Sequence, residues 1–252
     1  VTTWEILMVN VVFEKSESGV LRLTINRPES MNALSQEVMA ELTARFESAV
    51  GDPDIRVIVL TGAGDRAFCA GGDIKAGSKA STDKNEVSPY QMRPGDDHSL
   101  VKLFRVVNKI NVPIIARVNG HALGGGFGLA CMADMAVCSR NAKLGSPEAK
   151  IGLFPMIILA HMLRLVPLRK LYEMAITGRN WSADEAFENG LLNQVVDTID
   201  ELDDAVDDLI KSVLENSSTA IRVGKKALRT MEYMNFEQRL EQAQAVINSL
   251  SQ

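Results

Sequence analysis

Twice in this chain an apolar run of the kind that fills a buried strand empties into a glycine-rich stretch. Ile55-Arg56-Val57-Ile58-Val59-Leu60 leads, through Gly62 and Gly64, into Ala67-Phe68-Cys69-Ala70-Gly71-Gly72-Asp73-Ile74-Lys75. Pro113-Ile114-Ile115-Ala116-Arg117-Val118 leads into Asn119-Gly120-His121-Ala122-Leu123-Gly124-Gly125-Gly126-Phe127-Gly128. Glycine leaves backbone N–H groups unshielded by side chains. Two such donors aimed at one point form an oxyanion hole, a frequent large term in acyl chemistry. The second run follows a strand and opens a helix, so unpaired N–H groups and the positive end of the helix dipole coincide there. Close backbone packing is the plainer reading of the same glycines, and it stays open at this point.

The surrounding pattern is that of an α/β core, with strands alternating with helices. Residues 11–15 and 20–25 read as a hairpin turning at Ser18-Gly19. Ser35 is a good N-cap for a helix to about Val50, with Met39, Leu42, Phe46 and Val50 at helical spacing. Residues 55–60, 113–118 and 136–138 read as strands, and residues 100–109 as a helix. Residues 76–99 are rich in Ser, Lys, Asp, Gly and Pro and show no period, so a long mobile loop is expected there. Beyond Pro155 the pattern is mostly helical. Ser182-Ala183-Asp184-Glu185 reads as a capping box, and residues 200–214, 219–231 and 236–250 as amphipathic helices.

Composition excludes several classes. At 252 residues the chain suits one domain, or a domain with a smaller appendage. A net charge of −5 and the lack of a strongly basic stripe argue against a nucleic-acid partner. Arg222, Lys225, Lys226 and Arg229 still form a local basic spot suited to phosphates. Cys69, Cys131 and Cys138 lack metal-ligand spacing, and no basic-plus-apolar leader opens the sequence. Both observations lead to expecting no metal and a cytoplasmic location. The apolar stretch 151–166 carries Pro155, His161 and Arg164 and falls short of the ~20 residues a membrane helix needs, so no membrane partner is expected. Gly62-Ala63-Gly64-Asp65-Arg66-Ala67 matches the dinucleotide fingerprint. The residues after it make a poor first helical turn, since Gly71 and Gly72 cost roughly 1 kcal/mol each in a helix. A turn leaving a strand is the better reading.

Several motifs stand in a consistent order. They are Arg27-Pro28 with Asn32-Ala33-Leu34, then Phe68 to Lys75, then Asn119-Gly120 with Gly124-Gly125-Gly126. Gly145-Ser146-Pro147-Glu148 with Gly152 follows, and then Thr177-Gly178 with Ala183, Ala186 and Gly190-Leu191. Together they resemble the enoyl-CoA hydratase/isomerase family, also called the crotonase family, over about residues 10–250. The resemblance implies a spiral of repeated ββα units over residues 1–195 carrying the acyl-CoA site. It also implies a helical C-terminal trimerisation region, residues 196–252, for assembly and site closure, in a homotrimer or a dimer of trimers. The substrate it implies is an acyl-CoA thioester, so coenzyme A belongs to the substrate and no separate cofactor is expected. The backbone N–H groups of Gly72 and Gly125 would hold the thioester oxygen as it becomes an enolate. Ala33, Ala70, Gly72, Asp73, Ile74 and Lys75 would line the adenine and pantetheine. Glu148 would transfer a proton next to the thioester carbonyl or one carbon further out. Judged by residue type alone, Glu148 is equally a surface carboxylate at a helix start, and Lys75 equally a solvated lysine.

The sequence departs from that pattern in two places. Efficient hydratases of the family carry a second Glu in the helix after the glycine run, where this chain has Gly128. The change tilts the mechanism toward one-base proton transfer, leaves hydration by a different constellation open, and leaves open a homologue that binds acyl-CoA without catalysis. After Pro155, where many relatives carry small residues, this chain has Met156-Ile157-Ile158-Leu159. Those side chains either shape an acyl pocket or repack a core. His98, His121, His161, Asp134 and Tyr90 receive no catalytic role; for His121 and His161 a structural role is the expectation.

Overall fold

Hydrophobic alternation sets the first elements of the computed structural model, which describes residues 10–73 and 98–250. Strands β1 (Val11–Lys15) and β2 (Val20–Ile25) pair antiparallel, and β2 buries Leu21, Leu23 and Ile25. Helix α1 (Gln36–Ala49) starts where expected, with the Ser35 side chain accepting from the Val38 N–H. Strand β3 (Val57–Gly62) is buried at every position, as a strand covered on both faces must be. After it come β4 (Ala67–Cys69), α2 (Ser99–Val107), β5 (Ile114–Val118), β6 (His121–Leu123) and α3 (Gly125–Cys131). Then follow β7 (Met135–Ser139), β8 (Lys143–Gly145), a 3-10 turn at Pro147–Ile151, α4 (Met156–Leu165) and α5 (Leu168–Thr177). The chain continues through β9 (Trp181–Ser182), α6 (Ala183–Glu188), β10 (Gln194–Val196), α7 (Ile199–Leu214), α8 (Ser218–Met231) and α9 (Phe236–Leu250). The capping box forms at α6 as the sequence implies, with Ser182 and Glu185 satisfying each other's backbone N–H groups.

The strands form a 6-stranded sheet, β1-β2-β3-β5-β7-β10, and a 4-stranded sheet, β4-β6-β8-β9. Each pass of the chain lays one strand in the large sheet and the next in the small one: β3 then β4, β5 then β6, β7 then β8. Helices α2 and α3 close the first two passes. This is the expected ββα spiral. The short strands β6 and β8 were not apparent from sequence, because three residues are too few to display an alternation.

Strand β3 sends Ile58 and Leu60 into the main core and Val57 and Val59 to the other face. There Ile115, Val137 and the α7 residues Leu202, Val206 and Ile210 complete a second core. Helix α8 docks through a row of basic side chains. Arg222 donates to the Asp52 carbonyl at 2.8 Å, Lys225 to the Val112 carbonyl at 2.8 Å and to Asp134, and Arg229 to Asn108 and Asn111. These three members of the basic spot are therefore spent on the protein's own acceptors rather than offered to phosphates.

Two buried asparagines hold the turn between β3 and β4. Asn119 accepts from the Gly62 N–H at 3.1 Å and donates to the Gly64 carbonyl at 2.7 Å. Asn32 donates to the carbonyls of Ala63 at 3.0 Å and Ala67 at 2.7 Å, and its own oxygen accepts from the Arg27 N–H at 3.0 Å. The dinucleotide fingerprint is thus a side-chain-braced turn, followed by β4 and not by the helix N-terminus a pyrophosphate needs. Removing Asn119 orphans the buried Gly62 N–H and leaves the exposed Gly64 carbonyl to solvent. Asn119→Ala is expected to cost about 1–3 kcal/mol in urea denaturation, the scale of one unsatisfied buried group; a loss near zero would contradict this bracing.

Candidate active site

The two glycine-rich stretches cross backbone against backbone. Gly71 has φ +92° and Gly124 φ +50°, both in the left-handed region that favours glycine. A methyl on Gly71 would lie 2.8 Å from the Leu123 carbonyl oxygen and 3.3 Å from the Gly125 nitrogen. A methyl on Gly124 would lie 3.8 Å from the Gly71 Cα and 3.1 Å from Glu148 Oε1. Only glycine at Gly71 allows this approach, so close packing and exposed donors are here the same feature.

Among the described residues the local hydrogen bonding leaves donors free at the crossing. Leu34 bridges Gly72 in parallel fashion, using the Gly71 carbonyl at 2.7 Å and the Asp73 N–H at 3.2 Å. That bridge does not use the Gly72 N–H. Gly125 is the first residue of α3, and an N–H at that position has no intrahelical acceptor. Among the described residues neither N–H donates to a backbone carbonyl outside the regular elements. The side chains of Leu34 and Leu100 flank Gly125, at 3.0 and 3.8 Å from where its methyl would stand.

Glu148 lies in the 3-10 turn behind Pro147, with its carboxylate turned toward Gly124. Its Oε2 is buried without a hydrogen-bond partner among the described residues. Burial raises the carboxyl above the ordinary glutamate range, and a bond from its own backbone N–H offsets part of the rise. Of the positions assigned to coenzyme A, Ala33 is buried and its carbonyl accepts from Arg27 at 2.9 Å. Ala70 donates its N–H to Met31 at 3.0 Å, and Asp73 pairs with Arg27 at 3.0 Å. Ile74, Lys75 and Tyr90 lie outside the described residues, as do residues 76–97 of the expected loop, while its last two residues, His98 and Ser99, instead cap and begin α2.

The place of the second carboxylate is filled. A methyl on Gly128 would stand 3.1 Å from Phe104 Cζ and 3.2 Å from Ile158 Cγ1. The two departures from the family pattern therefore meet: Ile158, from the bulky stretch after Pro155, packs against Gly128. Phe104 belongs to the apolar stripe of α2 with Leu100, Leu103 and Val107. Sequence reasoning missed it, because a site wall and a core stripe share the same spacing.

The remaining candidates have structural partners. His121 Nδ1 accepts from the Lys143 N–H at 3.1 Å, and His98 Nδ1 caps α2 by accepting from the Leu100 N–H at 3.1 Å. Asp134 accepts from the Ile114 N–H at 2.7 Å. His161 is buried, and burial with the neighbouring Arg164 charge pushes its pKa down to about 4. The three cysteines are buried, and burial raises each thiol, Cys69 and Cys138 to about 12, which makes them inert. Among the described residues no group of His, Cys, Asp and Glu could hold a metal, and no helix is long and apolar enough to cross a membrane.

Fold and site together define an α/β enzyme of the crotonase fold. The enoyl-CoA hydratase/isomerase profile matches residues 15–252, and the chain belongs to that family. It is similar to carnitinyl-CoA dehydratase of Escherichia coli (strain K12), 34% identical over 221 residues that cover 87% of this chain and 80% of that protein. The protein of the same name from Proteus mirabilis (strain HI4320) is 35% identical over 228 residues, covering 88% and 82%. Among solved structures, an enoyl-CoA hydratase from Bacillus anthracis superposes with a TM-score of 0.85 at 27% identity, covering 95% of this chain and 90% of that one.

Burial of Glu148 has a signature in stability. A carboxyl raised on folding costs nothing while protonated in both states, below about pH 4. The cost of charging it in the folded state grows as pH rises through the raised value. Glu148→Gln removes that cost, so the variant is expected to be more stable than wild type at neutral pH, with the gain vanishing in acid. Urea denaturation across pH checks this; equal stability at all pH values would mark Glu148 as a solvated surface residue.

Proposed function

We propose that this enzyme acts on an unsaturated acyl-CoA thioester and moves a proton with one carboxylate, Glu148. In this reading the N–H groups of Gly72 and Gly125 hold the thioester oxygen as it takes on enolate charge. The observation that carries it is the buried, unpartnered Glu148 Oε2 at the crossing of the two glycine stretches. A buried carboxylate oxygen without a partner is costly, and such atoms mark places where function supplies the partner. A carboxyl raised toward neutrality is suited both to take and to return a proton.

The proton balance is simple. Glu148 as carboxylate takes a proton from carbon, and the electron pair of the broken C–H bond passes through the conjugated system to the thioester oxygen. The glycine N–H donors stabilise that oxyanion, at about 3 kcal/mol for each donor. Glu148 then returns the proton at the other end of the system, and the double bond has moved. No second acid is required. The apolar contact of Phe104 and Ile158 with Gly128 supports this one-base reading, since neither of these side chains could activate water. Ala33, Ala70, Gly72, Asp73, Ile74 and Lys75 line the coenzyme A portion in this proposal. The exposed apolar side chains Leu228, Tyr233, Phe236 and Leu240 of the C-terminal region support assembly into a trimer.

A second reading, addition or removal of water by Glu148 with a positioned water, is favoured by the dehydratase name of the relatives. Incubation of a panel of enoyl-CoA thioesters in heavy-oxygen water, read by mass spectrometry, separates the two. Isomerisation gives product without label, and hydration gives product with it. Glu148→Gln is expected to lower turnover by about 10²–10⁴-fold while acyl-CoA still binds; full activity in this variant would sink both readings. Gly128→Glu alone is expected to lose about 1–3 kcal/mol of stability by displacing Phe104 and Ile158, and to gain no hydration activity.

A further inference from the structure

Phe104 does not stand against Gly128 unsupported. The His161 ring meets it edge-on, with centroids 4.5 Å apart and planes at 87°. His161 lies on α4 about one turn beyond Ile158 and is only 9% exposed. Its Nδ1 stands 3.1 Å from a terminal nitrogen of Arg164. A guanidinium can only donate, so Nδ1 accepts, and the neutral ring carries its proton on Nε2. The other terminal nitrogen of Arg164 donates to Glu232 Oε2 at 3.1 Å. Glu232 stands at the C-terminal end of α8, the helix locked onto the core by Arg222, Lys225 and Arg229. One rigid fork thus binds a carboxylate of the C-terminal helices and the ring that backs the wall beside Gly128.

We propose that Glu232, Arg164 and His161 form a positioning relay that ties the C-terminal helices to Phe104 and so sets which acyl groups the site admits. The inference rests on the acyl-CoA reading above. None of the three touches the thioester crossing; each acts through the next. The planar arginine fork holds both partners at once, so it cannot rotate without losing one of them. Because His161 stays neutral through the range where an ordinary histidine titrates, its acceptor bond to Arg164 persists at neutral pH. Helix α2 is held at its start by the His98 cap and at its end by Arg229 on the Asn108 carbonyl, so the relay acts on the Phe104 ring and not on the helix as a whole.

The test uses Arg164→Met, Arg164→Lys and Glu232→Gln, with Glu148 intact in each. Initial rates are measured on a compact linear and a branched acyl-CoA. Arg164→Met is expected to change the ratio of the two kcat/KM values by about tenfold, the scale of one methylene's fit in an apolar pocket. The change should fall on KM, with the pH dependence of kcat unaltered. Glu232→Gln should move the ratio in the same direction by less. Arg164→Lys keeps the charge but not the fork and should fail to restore it. An unchanged ratio in Arg164→Met, or a uniform fall of kcat on both substrates, overturns the proposal. Nitrogen-15 NMR of the imidazoles in the ligand-free protein provides an arm independent of turnover. Wild type should show His161 with Nδ1 unprotonated and Nε2 protonated, and Arg164→Met should mix the tautomers. If wild type turns over no acyl-CoA, the functional reading fails, and an unchanged imidazole spectrum in Arg164→Met separately overturns the relay. If Arg164→Met does not fold, Glu232→Gln, altered at a partly exposed side chain, carries the same comparison.

Discussion

The contact of Gly71 with Gly124 and Gly125 is the constraint on which the rest of the site depends. It brings two backbones together at a distance that a methyl group at Gly71 would forbid. The small sheet makes the contact possible, because β4 and β6 lie side by side in parallel and deliver both glycine stretches to the same edge. Asn32 and Asn119 hold the turn beneath it by satisfying carbonyls that the ladder leaves over. Side-chain amides are needed there because a buried carbonyl without a partner costs as much as a lost hydrogen bond. The N–H groups of Gly72 and Gly125, uncommitted among the described residues, follow from the same geometry: one falls outside the Leu34 bridge, and the other begins a helix.

Around that contact the described neighbours are apolar. Leu34 and Leu100 flank Gly125, and Phe104 and Ile158 cover Gly128. Burial raises the Glu148 carboxyl and strengthens the dipoles aimed into the site. It also decides what the position of Gly128 does. A glycine there is not a gap left by a missing acid, because an aromatic ring and a branched aliphatic chain occupy the place. Loss of the carboxylate and gain of bulk after Pro155 are thus a single packing solution, and Arg164 extends it to the C-terminal helices through His161 and Glu232.

Much of this was legible in the residues. Continuous apolar runs announced β3 and β5, glycine marked the crossing, and Ser35 and Ser182 marked helix starts that form as expected. Glu148 stood out through its motif, although only the fold shows its oxygen buried and unpaired. Phe104 stayed hidden because an amphipathic helix gives the same periodicity whether its stripe faces a core or a site. Arg222, Lys225 and Arg229 looked available to phosphates because a sequence lists charges and not the carbonyls that claim them. The fork of Arg164 was equally invisible, since its partners lie on one side within its own helix and on the other in a distant one.

The central claim is that the two glycine donors meet the thioester oxygen. The most direct measurement is the infrared stretch of a carbon-13-labelled thioester carbonyl in an acyl-CoA bound to the Glu148→Gln variant. Two N–H donors polarise the carbonyl, so the account predicts a stretch at clearly lower frequency than for the same thioester free in water. A bound carbonyl that absorbs at its free frequency would contradict it.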